Sequence, residues 1–403
     1  MFKPAKKVTL NSVQTSSFKM HILIIPSWYP ETSQDVKGSF FREQALSLQK
    51  YGCKVGIISP QLYAVQKGFK IFTTKNKLQI EMDHGIPTYR CSADYYIYPS
   101  HYWVQLGLKL FKTYIQHHGM PDLIHAHSIF TAGILALKIK QKFRVRYVLT
   151  EHRTMYAKNE VRCYQRKSIQ QVAREASRCF AVSTPFAKLM SSYTGKQTTW
   201  EVIPNIVHAK FLETEITAKS KNKFIFINIC FLNKKKRIDI LIKAFKMAFK
   251  NHPDVCLWIG GDGPERASLE ALKQKIDLNH QISFLGMLNR DKVLKRLSEA
   301  HAFVLSSKYE TFGVVLVEAL GMGLPVVGTR CGGPEDIIHP NNGLLVEPDN
   351  IEALAKAMKQ IYADKEKYPA EKLRDDCKSF FGEEVVTRKI IGHYQKILNQ
   401  TRT

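Results

Sequence analysis

The chain has 403 residues, with 60 Lys and Arg against 35 Asp and Glu and a formal net charge of +25. At roughly 150 residues per domain this length predicts two domains and excludes a peptide-sized or disordered protein. Hydrophobic residues make up 44% and charged residues 24%, an ordinary globular composition, so the basic excess reflects scarce acids and calls for an anionic partner: nucleic acid, an anionic membrane surface or phosphorylated substrates. The eight cysteines are widely spaced with no C-x-x-C, which argues against a zinc ribbon or a disulfide scaffold and for reduced thiols in a cytoplasmic setting. Residues 1–19 carry Lys3, Lys6 and Lys7 without an apolar run. They read as a disordered arm or a product of start-codon choice, and not as a signal peptide.

From Met20 onward short apolar runs alternate with helix-length amphipathic stretches. Strands are expected at 21–25, 54–59, 122–126, 147–150, 179–183 and 200–204, with helices at 39–50, 130–143 and 161–177. Continuous apolar strands separated by helices predict a parallel sheet covered on both faces. The polar stretch 210–222 reads as a linker, after which the alternation restarts. Strands are then expected at 224–230, 255–260, 281–286, 302–307, 325–329 and 343–347, and helices at 239–250, 265–276, 291–300 and 312–323. The last helices fall in IEALAKAMKQIYA and EEVVTRKIIGHYQKIL. The fold class is α/β: two Rossmann-like, doubly wound domains over 20–209 and 223–380, and a final helix within 381–403 packing back toward the first domain. Ligands of open α/β sheets bind beyond the carboxyl ends of the strands, so the site is expected in the interdomain cleft.

The segment SSKYETFGVVLVEALGMGLPVV (306–327) carries the most chemistry. Glu310 ends a loop after a buried strand, and Phe312 and Gly313 open a helix on which Glu318 lies about two turns in. The free amides of Phe312, Gly313, Val314 and Val315 form an anion site at the helix start, and Gly313 lets a phosphate approach closely. A carboxylate accepts through two oxygens and suits vicinal hydroxyls, so Glu310 and Glu318 are placed to bracket a nucleotide sugar. The neighbours of Glu318, from Val314 to Leu320, are apolar, so a lone Glu there reads as facing a cleft. Gly260, Gly261 and Gly263 permit close backbone approach to a donor. They do not form G-x-G-x-x-G, so a nicotinamide reading has no support.

The E-x7-E spacing of Glu310 and Glu318, the E-x-FG start, the EAL-x-x-G-x-PVV continuation and the later GGPEDII…NGLLVEP run resemble the retaining GT-B glycosyltransferases of glycosyltransferase family 4. DLIHAH (122–127), TEH (150–152), AVST (181–184), VIPN (202–205), KKKRIDILIKAF (234–245) and IGGDGPE (259–265) extend the resemblance over almost the whole chain from Met20. The resemblance implies that Glu318 binds the nucleotide ribose, Glu310 the hydroxyls of the donor sugar, and Gly313 with its neighbours the diphosphate. It also implies an Arg and a Lys clamping that diphosphate after the first strand of the second domain. Lys236 matches the Lys, whereas Phe231 stands at the Arg position; Lys234, Lys235 and Arg237 are the candidates to replace it, since phosphate needs positive charge more than one fixed geometry. His127 matches the family's His near the transferred sugar, a hydrogen-bond donor and local dipole for the transition state. His125 is read as packing between sheet and helix, and His152 as a second cleft residue on the acceptor side. Gly38 stands where the family places a Gly-rich loop, usually with a second glycine, and Gly332 and Gly333 with Glu335 resemble the family's second glycine turn. No D-x-D of the metal-dependent transferases follows a strand. No metal or cofactor is therefore expected beyond the nucleotide-sugar co-substrate. No carboxylate nucleophile for a double displacement stands out, and the family's chemistry is described as front-face retention.

The activity so implied is transfer of a sugar from a nucleotide-diphosphate sugar to a glycan or lipid-linked acceptor, in surface polysaccharide or glycolipid synthesis. Residues 101–200 contain only four acids, whereas the helix at 161–177 alone has Arg162, Arg166, Lys167 and Arg174. With the aromatic stretch DYYIYPSHYWVQLGLKLFKTYI (94–115) and its Lys109 and Lys112, this half is expected to rest on the anionic inner face of the plasma membrane. Competing readings are a nucleotide-sugar epimerase of the same architecture, an inactive relative that binds glycan, as Phe231 suggests, and a basic nucleic-acid-binding protein, disfavoured because no nucleic-acid module is recognisable.

Overall fold

In the computed structural model the described residues are 19–32, 35, 38–64, 77–95, 99–220 and 222–400; nearly all of the amino-terminal arm lies outside them. Two sheets organise the chain. The first has eight strands: β1 (His21–Pro26), β2 (Lys54–Ala64), β3 (Lys77–Asp83), β4 (Ile86–Tyr95), β5 (Leu123–His127), β6 (Tyr147–Glu151), β7 (Arg178–Ala181) and β8 (Trp200–Val202). Their spatial order is β3-β4-β2-β1-β5-β6-β7-β8, and every pairing is parallel except β3 with β4. The second sheet is wholly parallel, in the order β11-β10-β9-β12-β13-β14. Its strands are β9 (Phe224–Ile229), β10 (Val255–Gly260), β11 (Ile282–Gly286), β12 (Ala302–Leu305), β13 (Val326–Thr329) and β14 (Gly343–Val346). Both sheets are α/β and Rossmann-like, as the alternation of apolar runs and amphipathic stretches predicts. Every residue of β1, β5 and β6 is buried, which is what helices on both faces of a parallel sheet require.

The strand order positions the site. In each sheet the chain leaves the first strand toward one side and later returns to the other, so the order reverses between β1 and β5 and again between β9 and β12. Loops diverge at such a switch point and leave a crevice outside the carboxyl ends of the strands. Ser27, His127, the 230–236 loop and the 306–311 loop all emerge there. The crevices of the two sheets face each other, joined by hydrogen bonds from Ser183 Oγ to the Thr311 carbonyl (2.8 Å) and from Thr311 Oγ1 to the His152 carbonyl (3.0 Å).

Several expected elements change. The β3–β4 hairpin was not among the expected strands: Leu78, Ile80 and Met82 face solvent, so no buried apolar run marks β3. The hairpin turns at His84 and Gly85, both at positive φ. Arg42 fastens it to the helix Ser39–Lys50 by a buried ion pair to Asp83 (2.8 Å), whose carboxylate also accepts from the Tyr29 hydroxyl. The helix expected over 130–143 begins as a wide, kinked turn with Thr131 at φ 69 and becomes regular only over Ile134–Phe143. Within 210–222, a short helix, Ala209–Glu213, buries Phe211. The helix Pro99–His118 corrects the membrane expectation for 94–115: Trp103, Phe111 and Tyr114 are buried in the core of the first domain. Tyr96 and Tyr98 lie outside the described residues.

The closing helix, Glu383–Asn399, follows the second domain in sequence but packs on the first. Val386, Ile390, Tyr394 and Ile397 share a buried cluster with Ile22, Ile24, Leu48 and Val55, and the Tyr394 hydroxyl bonds His125 Nδ1 at 2.5 Å. This places His125 between sheet and helix, and its other nitrogen bonds Thr150 Oγ1 at 2.7 Å. Ile390 is fully buried, so Ile390→Ala is expected to lower stability by about 2–5 kcal/mol. Urea unfolding followed by circular dichroism measures this loss.

Candidate active site

A cleft of about 650 Å³ lies between the two sheets' switch points. The second domain contributes Lys235, Lys236, Glu310, Thr311, Phe312, Gly313, Val314 and Val315, and the first contributes Trp28, Phe40, His152, Arg153 and Asn205 among others. Lys236 ends a single turn after β9, and Glu310 ends the loop after β12. Neighbouring strands thus bring them together: Lys236 Nζ donates to Glu310 Oε2 at 2.6 Å. Burial alone would raise the Glu310 pKa, but Lys236 and Lys235 outweigh it and hold the carboxyl below its ordinary value. Burial likewise opposes the Lys236 charge, and Glu310 reverses that and raises Lys236 above its ordinary value. The pair is therefore ionised, a fixed cation and anion at the cleft wall.

Beside this pair the backbone turns into the helix Val314–Gly321, with Gly313 as its cap at φ 101, a conformation that a side chain would strain. Glu310 bridges to Gly332, and any Cβ on Gly333 would lie 2.2 Å from the Phe312 Cα. The second glycine turn thus packs directly under the loop that carries Glu310. Phe312, Gly313, Val314 and Val315 line the cleft with the helix start, where unpaired amides favour an anion.

The candidates for the missing clamp arm separate cleanly. Phe231 is exposed. Arg237 turns away, pairing with Asp239 and Asp349, and Lys234 is exposed outside the cleft lining. Lys235 reaches the cleft and has no ion-pair partner among the described residues; burial lowers its pKa despite Glu310.

The other expected site residues divide. His152 lines the cleft, but His127 is fully buried behind it, sharing a hydrogen bond between its Nδ1 and His152 Nε2 at 3.1 Å and stacking on His125 with centroids 4.2 Å apart. Among the described residues His127 Nε2 and His152 Nδ1 have no hydrogen-bond partner. Burial lowers both pKa values, that of His152 to about 3, so both rings are neutral at physiological pH. Gly38 caps the helix Ser39–Lys50 at φ 80 and packs against Trp28, outside the cleft lining. At Gly261 and Gly263 a Cβ would sit 1.8 Å from the Cys230 carbonyl oxygen and 2.4 Å from that of Leu232, respectively. The close approach these glycines permit is to the chain's own loop after β9.

Glu318 sits farther along the helix that starts at Gly313. It is half-buried on the helix Val314–Gly321 but does not line the cleft with Glu310. Its electrostatic neighbours are Arg290 and Glu43, themselves an ion pair between the domains, with Ser39 also accepting from Arg290. Burial pushes the Glu318 pKa up to about 8, against the pull of Arg290. Above the ordinary carboxyl value and below about 8, the folded state keeps a proton that the unfolded chain has lost. Stability must therefore fall as pH rises through that window. Glu318→Gln removes this dependence, and thermal melts of the two proteins across the window should diverge, with the wild type losing ground toward the alkaline end.

Residue types alone did not mark Glu151, Arg153, Trp28, Phe40 or Thr311 as site residues. Glu151 is fully buried: one oxygen accepts from the amides of His152 (2.8 Å) and Arg153 (2.9 Å), the other from the Ile129 amide (2.7 Å) and the Tyr156 hydroxyl (3.3 Å). A carboxylate directly after a buried strand, within TEH, was the available signal.

Comparison with known proteins agrees with this architecture. Residues 39–211 match the family model described as glycosyltransferase family 4, and residues 210–379 match glycosyl transferases group 1. The N-acetyl-alpha-D-glucosaminyl L-malate synthase of Bacillus anthracis is 27% identical over 286 residues, 68% of this chain and 74% of that protein. The putative teichuronic acid biosynthesis glycosyltransferase TuaC of Bacillus subtilis is 27% identical over 366 residues, covering 84% and 88%. Among solved structures, sucrose-phosphate synthase from Thermosynechococcus elongatus superposes with a TM-score of 0.74 at 20% identity, covering 94% of this chain and 100% of that one. Anabaena HepE in complex with UDP and glucose superposes with a TM-score of 0.70 at 17% identity, covering 93% and 100%. With both halves matched and two Rossmann-like sheets opposed across a cleft, the chain belongs to the family 4 glycosyltransferases, with the GT-B fold.

Proposed function

We propose that this glycosyltransferase moves a sugar, with retention of configuration, from a nucleotide-diphosphate sugar to a glycan or lipid-linked acceptor in polysaccharide or glycolipid synthesis. The observation that carries the reading is the ionised Lys236–Glu310 pair beside the Gly313 turn. A cation, an array of helix-start amides and a sugar-binding carboxylate converge within one cleft. The names of the relatives support the class: HepE holds UDP and glucose, and TuaC is named for teichuronic acid synthesis.

The diphosphate lies against the amides of Gly313, Val314 and Val315, with Lys236 on one side and Lys235 in place of the arginine that Phe231 displaces. Glu310 accepts from the donor-sugar hydroxyls. Glu318, farther along the same helix and off the cleft wall that carries Glu310, takes the ribose as the family resemblance implies, and His127 acts on the sugar through His152. As the acceptor oxygen bonds the anomeric carbon, the bond to the phosphate oxygen breaks. The leaving diphosphate keeps that electron pair and takes the acceptor's proton on the same face. Positive charge for the leaving group comes from lysines and amides, so the reaction needs no metal ion. Lys236→Met is expected to lower transfer by roughly a hundredfold or more while the fold persists. Chelation with EDTA is expected to leave the wild-type rate unchanged, and NMR of the product's anomeric proton reads the stereochemistry. A metal requirement or an inverted product would overturn the corresponding part of the reading.

The enzyme works at the anionic inner surface of the plasma membrane, and the basic residues of the first domain hold it there. Arg162, Arg166, Lys167 and Arg174 are exposed, and Tyr164 beside them is 71% exposed. These residues give the membrane face an aromatic anchor in place of the buried Trp103 and Phe111. Among the described residues no helix is long and apolar enough to cross a membrane. Replacing Arg162, Arg166 and Lys167 with Gln should weaken binding to phosphatidylserine vesicles by about 1 kcal/mol per residue. Flotation with neutral vesicles provides the control.

A further inference from the structure

The cleft carries one more cation than the donor chemistry uses. Arg153 lines it from the first domain, opposite the wall formed by Lys236, Glu310 and Gly313. Its guanidinium carbon lies 5.3 Å from the centroid of the Trp28 ring, and its Nε is buried without a hydrogen-bond partner among the described residues. Among the described residues no carboxylate forms an ion pair with this guanidinium. The nearby Glu151 carboxylate already accepts from four donors, one of them the Arg153 backbone amide. At the rim, Glu160 is paired with Lys158 at 3.2 Å.

A buried donor with no partner is costly unless something fills it, and the cost is greater beside a formal charge. Here the surroundings hold the group in place: Glu151 accepts from its backbone amide and the Trp28 ring lies beneath the guanidinium carbon. A guanidinium so oriented presents a planar fork of donors that matches a carboxylate or a phosphate through two parallel hydrogen bonds. Trp28, Phe40 and Met155 line the cleft with it and supply apolar surface for the body of the molecule bearing that anion. Because the diphosphate machinery sits on the other wall, the anion belongs to the second substrate.

We propose that the acceptor carries an oxyanion, a carboxylate or a phosphate ester, and that Arg153 binds it above Trp28. The inference rests on the transferase reading and names the substrate class of the same cleft. A neutral acceptor could accept a hydrogen bond from Arg153 Nε but would leave the guanidinium charge uncompensated, so the site discriminates by charge as well as by shape.

The test uses the full chain. Thermal shift with UDP, GDP and ADP first identifies the nucleoside diphosphate it binds. With that nucleotide saturating, ligand-observed NMR titrations of D-glucuronate, glycerol 3-phosphate and D-glucose follow, on wild type, Arg153→Met and Arg153→Lys. The expected result is that at least one anionic probe binds more tightly than glucose, that Arg153→Met weakens it roughly ten- to a hundredfold, and that Arg153→Lys recovers part of the loss. Nucleotide affinity should be the same in all three proteins. Glucuronate alone would identify a carboxylate on the acceptor glycan, and glycerol 3-phosphate alone a phosphate ester such as a lipid phosphate; either supports the proposal. Equal binding of the anions to wild type and Arg153→Met, or no anion binding by the wild type, overturns it. A fall in nucleotide affinity in Arg153→Met also overturns it, because Arg153 would then serve the donor. Failure of every nucleotide to bind refutes the transferase reading itself.

Discussion

An ammonium and a carboxylate, both largely shielded from water and 2.6 Å apart, fix the centre of this molecule. Neither charge is tolerable alone in such surroundings, where an unpaired ion would shift its pKa and neutralise. Each holds the other ionised, and together they lock the loop after β9 to the loop after β12. Those are the strands between which the order of the second sheet reverses. The glycines serve the same arrangement: Gly261 and Gly263 admit the loop after β9, and Gly333 admits the loop that carries Glu310. Substitution at any of them would press backbone against backbone and move the pair.

The first domain builds its half of the cleft around a different charge. Glu151 is buried and saturated by four donors, and it pins the wide turn after β5 and the segment after β6 in one stroke. This fixes the backbone from which His152 and Arg153 reach the cleft. The imidazole of His152 and those of His125 and His127 behind it are neutral because burial penalises their charged forms. The first domain thus presents neutral donors and one guanidinium, and the second an ion pair and helix amides. That division matches a reaction in which charge develops on the leaving group at the second domain's side.

Much of this was legible in the residues. Apolar runs separated by amphipathic stretches gave both sheets, and Glu310, Lys236 and Gly313 were identified and do converge. Other features were hidden for physical reasons. The place of His127 on its strand was readable, but which of three neighbouring imidazoles fronts the cavity involves packing against Phe40 and Phe41, far away in sequence. A glycine reports that something approaches closely, and not whether it is a ligand or the chain's own carbonyl; at Gly261 and Gly263 the carbonyls of Cys230 and Leu232 approach. Trp103, Phe111 and Tyr114 have the amphipathic composition of an interface, yet lie on the core face of their helix. Exposed Leu78, Ile80 and Met82 left β3 without a buried signature.

The polypeptide passes between the domains twice: once after β8, and again where the helix Ala370–Phe381 gives way to the closing helix. At the second crossing the Val207 amide donates to the Phe381 carbonyl at 2.9 Å, so the two crossing strands of chain touch. Two bodies joined by a single thread can reorient in any direction, whereas two adjacent threads tie them along one edge. Relative motion is then confined largely to opening and shutting about that edge, like the covers of a book. Such a rotation would widen the cleft on the far side, and its reversal would bring the walls carrying Arg153 and Lys236 back to the same register.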